Sequence, residues 1–150
     1  MAEREALRPR SHYRAWRTIS TRWMDNDVYG HVNNVIYYSW FDTAVNAWLV
    51  EKGLLDIEKG PVIGLVAETA CTYARPIAFP DDVQAGIAVA RIGNTSVRYD
   101  IGLFTHGLPT PAAQGFFIHV YVDREKRKPQ PLTGEWRALL PTIMPPGVKG

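Results

Sequence analysis

The sequence predicts an α+β domain in which an antiparallel sheet of about five to six strands wraps around one long buried helix. The first observation is a long apolar stretch that follows a polar loop and is too apolar for an ordinary surface helix. The second is that apolar and polar residues alternate in one segment before this helix and in about four segments after it. Consecutive strands joined by short turns pair antiparallel, and a helix on one face completes an α+β layer architecture.

The helix is predicted to begin near Asn34 and to end at Gly53. Asparagine at a helix entrance caps free backbone N–H groups, and glycine is a natural stop at the other end. Most sides of the helix are apolar, so we expect other structure to enclose it. Its polar residues form one narrow stripe, which consists of Ser39, Asp42, Thr43 and Asn46.

The strands are predicted from alternation with a period of two. The first runs from Tyr13 to Trp23, with Trp23 on its buried side. Gly93 and Asn94 predict a tight turn between two later strands. Thr133 can cap a short helix near the end of the chain. The later strands are expected at about 62–75, 83–92, 97–103 and 116–122, and residues 1–10 and 142–150 are expected to be loose tails of a single domain, 1–150.

Composition restricts the class of protein. A chain of 150 residues with 46% hydrophobic and 21% charged residues is typical of one globular domain. A net charge of +2 is too small to indicate a nucleic-acid-binding protein. No apolar run is long enough to cross a bilayer, and the charged start shows no secretory pattern. We therefore expect a cytoplasmic protein without membrane insertion.

Some polar residues have plain structural interpretations. Cys71 is the single cysteine and is interpreted as an inert core residue. Asp25, Asp27 and His31 match no strong metal-ligand spacing, so no metal site is expected. Asp25 is interpreted as a carboxylate that accepts backbone N–H groups and shapes its turn. The basic residues at 124–128 form either a solvated turn or a contact for a phosphorylated ligand.

One motif carries a resemblance to a known family. The segment Asp-Val-Tyr-Gly-His-Val-Asn-Asn at 27–34, followed by Tyr37 and Asp42, resembles the signature of hotdog-fold acyl-CoA thioesterases. The most similar branch is the 4-hydroxybenzoyl-CoA thioesterase-like one. Weaker matches follow in the family's order, from about residue 18 to residue 140, at Tyr73-x-Arg75-Pro76, Ile92-Gly93-x-x-Ser96-Val97 and Val120-x-Val122-Asp123.

The resemblance implies a function and an assembly. It implies an acyl-CoA thioesterase that forms homodimers, with active sites at the subunit interface, and tetramers of such dimers are common in the family. Asp27 corresponds to the catalytic carboxylate, and a backbone N–H near Asn34 polarises the thioester carbonyl. Asp42 is a second candidate acid, because related hotdog branches use a carboxylate from the helix. No cofactor is implied, since coenzyme A is part of the substrate.

The chemistry of these residues agrees with this interpretation. A helix N-terminus offers unpaired N–H groups and a partial positive charge to a developing oxyanion. Asp27 can attack the thioester directly, which gives an acyl-enzyme anhydride, or it can activate a water molecule. His31 either positions the loop or the substrate, or satisfies a buried hydrogen bond. The sequence leaves both pairs of alternatives open.

The substrate is the least determined feature. The aromatic residues of the loop and helix either line an acyl tunnel or fill the core. Arg75, Arg91 and Arg98 either contact the coenzyme A phosphates or are surface charges. A hydratase or dehydratase led by His31, a non-catalytic acyl-CoA binder and a carrier-protein substrate are the alternatives. Six residues are predicted to bind the substrate, namely Tyr29, Gly30, Val32, Asn33, Tyr37 and Arg75.

Overall fold

The computed structural model describes residues 6–147 of the chain. Two helices and five strands are present within this range. Three short 3-10 turns also occur, at Arg10–His12, Trp23–Asp25 and Leu140–Ile143. In chain order the main elements are β1 (Ala15–Ser20), α1 (Asn34–Glu51), β2 (Val62–Tyr73), β3 (Asp82–Ile92), β4 (Ser96–Phe104), β5 (Ala113–Asp123) and α2 (Gly134–Leu139).

All five strands of the described chain form one antiparallel sheet with the order β1-β3-β4-β5-β2. β1 and β2 are therefore the two edges of the sheet. Helix α1 packs on one face, where Phe41 meets Phe117 of β5 with ring centroids 5.7 Å apart. We call this the inner face and the opposite one the outer face. The predicted α+β architecture of one helix on an antiparallel sheet is confirmed.

The limits of α1 agree with the sequence prediction. Asn33 is the N-cap residue, and its side-chain oxygen accepts a hydrogen bond from the N–H of Val35 at 3.0 Å. At the other end Gly53 has a φ of +74°, the left-handed conformation that glycine adopts without strain. Both ends are therefore determined by residues adjacent in sequence.

The sheet covers one side of α1. Phe41, Ala44 and Val45 have no exposed surface and face the core. The predicted polar stripe lies on the other side, where Asp42 is exposed, and Val35 on that side is 72% exposed. A single chain thus encloses the helix only in part.

The first strand is shorter than alternation predicts. β1 ends at Ser20, and the next backbone N–H, that of Thr21, donates to the carbonyl of Asp81 at 3.3 Å. Trp23 lies in the following 3-10 turn and is 77% exposed, so its expected burial is wrong. Its ring meets Phe79 edge to face at 5.9 Å, a contact between distant parts of the chain.

The segment before β1 is not a loose tail where the structure describes it. Arg8 is only 9% exposed and lies against the outer face of the sheet. Its guanidinium donates to the Tyr13 hydroxyl at 2.8 Å and to the Gly115 carbonyl at 2.9 Å, and it pairs with Asp100 at 3.6 Å. A buried cation requires such partners. Residues 1–5 lie outside the described range.

The segment after α2 is also partly packed, although Pro146 and Gly147 are exposed and residues 148–150 lie outside the described range. Ile143 is 5% exposed and Met144 is 7% exposed, and both belong to the main hydrophobic core. The expected loose tail from 142 onward is therefore wrong for these two residues. The prolines around them interrupt any periodic pattern, which explains why the sequence did not predict their burial.

Candidate functional site

The loop between β1 and α1 is shaped by Asp25. This carboxylate is 1% exposed and accepts the backbone N–H of Arg22 at 2.7 Å and its guanidinium at 2.8 Å. The carbonyl of Asp25 accepts the N–H of Asn33 at 2.9 Å. The structure thus agrees with the interpretation of Asp25 as a residue that shapes the turn.

Asp27 lies in a tight turn of the same loop. Its backbone N–H donates to the carbonyl of His31 at 2.8 Å, and its own carbonyl accepts the N–H of Gly30 at 3.1 Å. Gly30 has a φ of +82°, which a residue with a side chain rarely adopts. The Oδ1 atom of Asp27 accepts the N–H of Tyr29 at 2.8 Å. Its other oxygen has no hydrogen-bond partner among residues 6–147.

A cleft of about 460 Å³ opens between this loop, the first turn of α1 and the end of β2. The start of α1 forms one wall, and no hydrogen bond is formed by the N–H of Asn34 within the described residues. Carboxylate, imidazole, phenol and guanidinium groups converge there. The cleft is lined by Asp27, Tyr29, His31, Val32, Asn34, Tyr37, Tyr73, Ala74, Arg75 and Pro76.

Most of the residues predicted for the site lie at this cleft. The exceptions are Gly30, Asn33 and Asp42, of which Gly30 forms the turn and Asn33 caps α1. Asp42, the second candidate acid, is exposed about two turns along the helix, and its carboxylate accepts the side-chain amide of Asn46 at 2.8 Å. The predicted residues that line the cleft are Asp27, Tyr29, His31, Val32, Asn34, Tyr37 and Arg75.

Two tyrosines form the inner end of the cleft. Tyr37 is 2% exposed, and its ring meets Tyr73 edge to face with centroids 4.9 Å apart. The Tyr73 hydroxyl donates to the carbonyl of Asn34 at 3.4 Å. Burial raises the pKa of both phenols, so both carry their protons at neutral pH. Tyr73 is not among the residues predicted for the site, although the sequence motif Tyr73-x-Arg75-Pro76 could have indicated it.

Cys71 precedes Tyr73 by two residues on the inner face of β2. It is partly exposed on this edge strand and packs against the main hydrophobic core, in agreement with its interpretation as a core residue. Burial raises the pKa of its thiol to about 11. The thiolate is the reactive form of cysteine, so this side chain remains a thiol of low reactivity at neutral pH.

The three arginines considered for phosphate contact lie in different places. Arg75 lines the cleft, and its guanidinium is held by the hydroxyl and the carbonyl of Thr110 at 3.0 and 2.8 Å. Arg91 and Arg98 face each other on the outer face of the sheet. Arg98 lies over the ring of Phe116 at 4.1 Å. Of these three, Arg75 is the one positioned at the cleft.

The basic turn after β5 has a structural residue at its start. The guanidinium of Arg124 donates to the carbonyls of Ile57 at 2.8 Å and Asp56 at 3.0 Å, and also to that of Gly60. These bonds fasten the connection between α1 and β2. Lys126 and Lys128 are exposed, in agreement with a solvated turn.

A second histidine lies inside the fold, away from the cleft. His119 of β5 is 2% exposed, and its Nδ1 atom is 3.4 Å from the Tyr121 hydroxyl, which is 2.7 Å from that of Tyr99. Burial lowers the pKa of His119 to about 4, against the opposing effect of the Asp42 charge. The ring is therefore neutral at pH 7.

The described part of the chain has neither a metal-binding cluster nor a membrane-spanning helix. Within it, no group of three or more His, Cys, Asp or Glu side chains is arranged to hold a metal ion. No described helix combines the length and the apolar character needed to span a membrane.

Comparison with known proteins places the chain in a family. The family model of the Thioesterase-like superfamily matches residues 21–140. The crystal structure of the PA5185 protein from Pseudomonas aeruginosa strain PAO1 is similar with a TM-score of 0.90 and 47% identity, over 94% of this chain and 99% of that one.

More distant proteins are also similar. DHNA-CoA thioesterase from Staphylococcus aureus has a TM-score of 0.75 and 21% identity, over 83% of this chain and 86% of that one. The YsmA protein of Bacillus subtilis strain 168 is 22% identical over 136 residues, which cover 85% of this chain and 90% of that protein. The hotdog fold expected from the resemblance is confirmed by this structural similarity. The chain belongs to the Thioesterase-like superfamily and is, by that membership, a thioester hydrolase.

Proposed function

We propose that this enzyme hydrolyses the thioester of an acyl-coenzyme A to the free acid and the thiol. The observation that carries the proposal is that Asp27 and Asn34 line one cleft, where the N–H of Asn34 has no hydrogen-bond partner among the described residues. A hydrolytic site requires a base or nucleophile on one side of the carbonyl and a hydrogen-bond donor for its oxygen. The loop provides the base or nucleophile, Asp27, and the start of α1 provides the hydrogen-bond donor, the N–H of Asn34.

The start of α1 stabilises the negative charge that develops on the carbonyl oxygen. The N–H of Asn34 forms no hydrogen bond within the described residues, and the helix dipole adds a partial positive charge at this end. Oriented donors of this kind favour the tetrahedral state over the planar thioester. The thioester carbonyl is therefore placed against Asn34.

Asp27 acts from the other side of the carbonyl carbon. Its Oδ1 atom is held by the N–H of Tyr29, which leaves the other oxygen available. That oxygen either attacks the carbon and expels the thiolate, forming an anhydride that water then cleaves, or it removes a proton from an attacking water. The geometry is compatible with both routes.

The remaining cleft residues bind and orient the substrate. His31 is exposed at the cleft and is proposed to position the substrate. Arg75, held by Thr110, presents a fixed cation at the rim and is proposed to contact a phosphate of coenzyme A or of a phosphopantetheine carrier. The name DHNA-CoA thioesterase of the Staphylococcus aureus protein supports a coenzyme A thioester as the substrate.

Thiol release from a panel of short, long and aromatic acyl-coenzyme A thioesters tests this function. We expect at least one member to be hydrolysed with a kcat/KM above about 10⁴ M⁻¹s⁻¹, the lower end of the range typical of enzymes. The same acyl groups on a carrier protein identify the preferred thiol carrier. If no thioester of either kind is cleaved while acyl-coenzyme A binds, the proposal is wrong.

We also propose that two copies of the chain associate through β2. This strand is a sheet edge of 12 residues, and Leu65 and Val66 on it are 40% and 51% exposed. A long apolar edge has unpaired N–H and C=O groups that another strand can satisfy. Because Tyr73 ends β2 at the cleft, such pairing would bring the second subunit next to the site.

Light scattering tests this association. We expect at least twice the mass of one chain, and four times that mass would indicate a tetramer of dimers. Val66→Lys places a charge on the edge and is expected to shift the protein toward the monomer. Ile57→Lys, at a residue 70% exposed in a loop, is the matched control and is expected to leave the mass unchanged. A monomeric native protein would contradict the proposal.

A further inference from the structure

One of the side chains that line the cleft reaches from the sheet to the helix. Tyr73 is on β2, and its hydroxyl donates to the carbonyl of Asn34 in the first turn of α1. Its ring packs edge to face against Tyr37. The Tyr37 side chain is almost fully buried, so it has little room to move away. The ring therefore stands across the gap between the edge strand and the helix.

Beyond Tyr73, both β2 and α1 carry residues that are not fully buried, and we call the surface formed by Thr69, Cys71, Tyr38 and Asp42 the groove. On β2 the next inner-face residues are Cys71 and Thr69, and both are partly exposed. On α1, Tyr38 is partly exposed and Asp42 is exposed. Tyr38, Cys71 and Tyr73 all pack against the main hydrophobic core.

The part of the substrate that contacts Tyr73 follows from the proposed position of the thioester carbonyl. With the thioester between Asp27 and Asn34, Arg75 at the rim lies on the side of the polar thiol carrier. The apolar side of the cleft is formed by Tyr37 and Tyr73, so the acyl group extends toward these rings. A long chain would have to pass Tyr73 to reach the groove.

We propose that Tyr73 restricts the substrate to short acyl groups by closing the cleft off from the groove between β2 and α1. The inference rests on the proposed function, since it takes the thioester to lie between Asp27 and Asn34. Removal of the ring joins the cleft to the groove and provides apolar surface for additional methylene groups. Burial of two additional methylene groups is enough for a change of about tenfold in affinity.

The test compares acyl-chain preference in native protein, Tyr73→Ala, Tyr73→Leu and Tyr73→Phe. The first readout is the ratio of kcat/KM for dodecanoyl- to butanoyl-coenzyme A. The second is the ratio of affinities for the S-dodecyl and S-butyl thioethers of coenzyme A, measured by calorimetry, which requires no turnover. Thermal melting shows which variants are folded, and Tyr73→Leu replaces Tyr73→Ala if the alanine variant does not fold.

We expect the native enzyme to favour the butanoyl substrate and Tyr73→Ala to raise both ratios by about tenfold or more. Tyr73→Phe keeps the ring and loses only the hydroxyl, so its ratios are expected to stay within about twofold of native. Unchanged ratios in folded Tyr73→Ala and Tyr73→Leu would overturn the inference, as would equal native activity on both chain lengths. Absence of all turnover would refute the proposed function, while the thioether ratios would still decide the role of Tyr73.

Discussion

Replacing Asp27 with asparagine is expected to lower kcat for thioester hydrolysis by at least about 100-fold, the scale of a lost acid–base group. The amide oxygen of asparagine can still accept the N–H of Tyr29, so the turn around Gly30 is retained. What is lost is the negative charge and the basic oxygen that attacks the carbonyl or activates water. Steady-state thiol release with the best substrate of the panel measures the effect.

The control for this variant is Asp82→Asn, an exposed carboxylate at the start of β3. We expect it to retain native turnover and both variants to retain the native melting temperature. Activity of Asp27→Asn close to native would remove Asp27 from the mechanism. If His31→Ala alone abolished turnover, a hydratase-type chemistry led by His31 would become the better explanation.

The largest expected effect on stability is that of Gly115→Ala on β5. A Cβ atom at this position would collide with the carbonyl oxygen of Ala70 on β2 and would lie 2.6 Å from the ring of Phe41 on α1. Neither neighbour is free to move, because Phe41 is fully buried and Ala70 belongs to the paired strand. We expect a loss of at least about 3 kcal/mol in the free energy of unfolding.

Urea unfolding followed by circular dichroism measures this loss, and a fall in melting temperature of about 6–12 °C is expected with it. Gly134→Ala is the matched control, since a Cβ atom there meets nothing within 4 Å. Its stability is expected to be unchanged or up to about 1 kcal/mol higher, because alanine has less freedom in the unfolded chain. Equal stability of the two variants would show that β5 and α1 are less tightly packed than described.

Helices and strands could be predicted from the sequence where they depend on neighbouring residues. The ends of α1 depend on Asn33 and Gly53, and both act on backbone groups a few residues away. The alternation that marks β2 to β5 reflects two faces of one sheet, a property each strand shows by itself. Such features can be predicted from the sequence because their causes are contiguous in it.

The errors have a common physical origin in contacts between distant segments. Arg8 is buried because Tyr13, Asp100 and the Gly115 carbonyl supply partners on the outer face of the sheet. Trp23 continues an alternating pattern, yet the strand ends at Ser20 and the indole is exposed beside Phe79. Neither fact follows from neighbouring residues.

The residues of the candidate site also fall into two groups, those that neighbouring residues predict and those that depend on contacts between distant segments. Order along the chain is enough to show that a carboxylate, Asp27, precedes the capped start of a helix at Asn34, because both lie in one eight-residue motif. The tertiary fold alone brings Tyr73 to this motif, whereas Arg75 was expected there only from the family resemblance. They are about 40 positions away in the chain, and the pairing of β2 with β5 under α1 brings them to the cleft. Local hydrogen bonds and caps can be inferred from order along the chain, whereas the walls of a cleft depend on how the sheet packs against the helix.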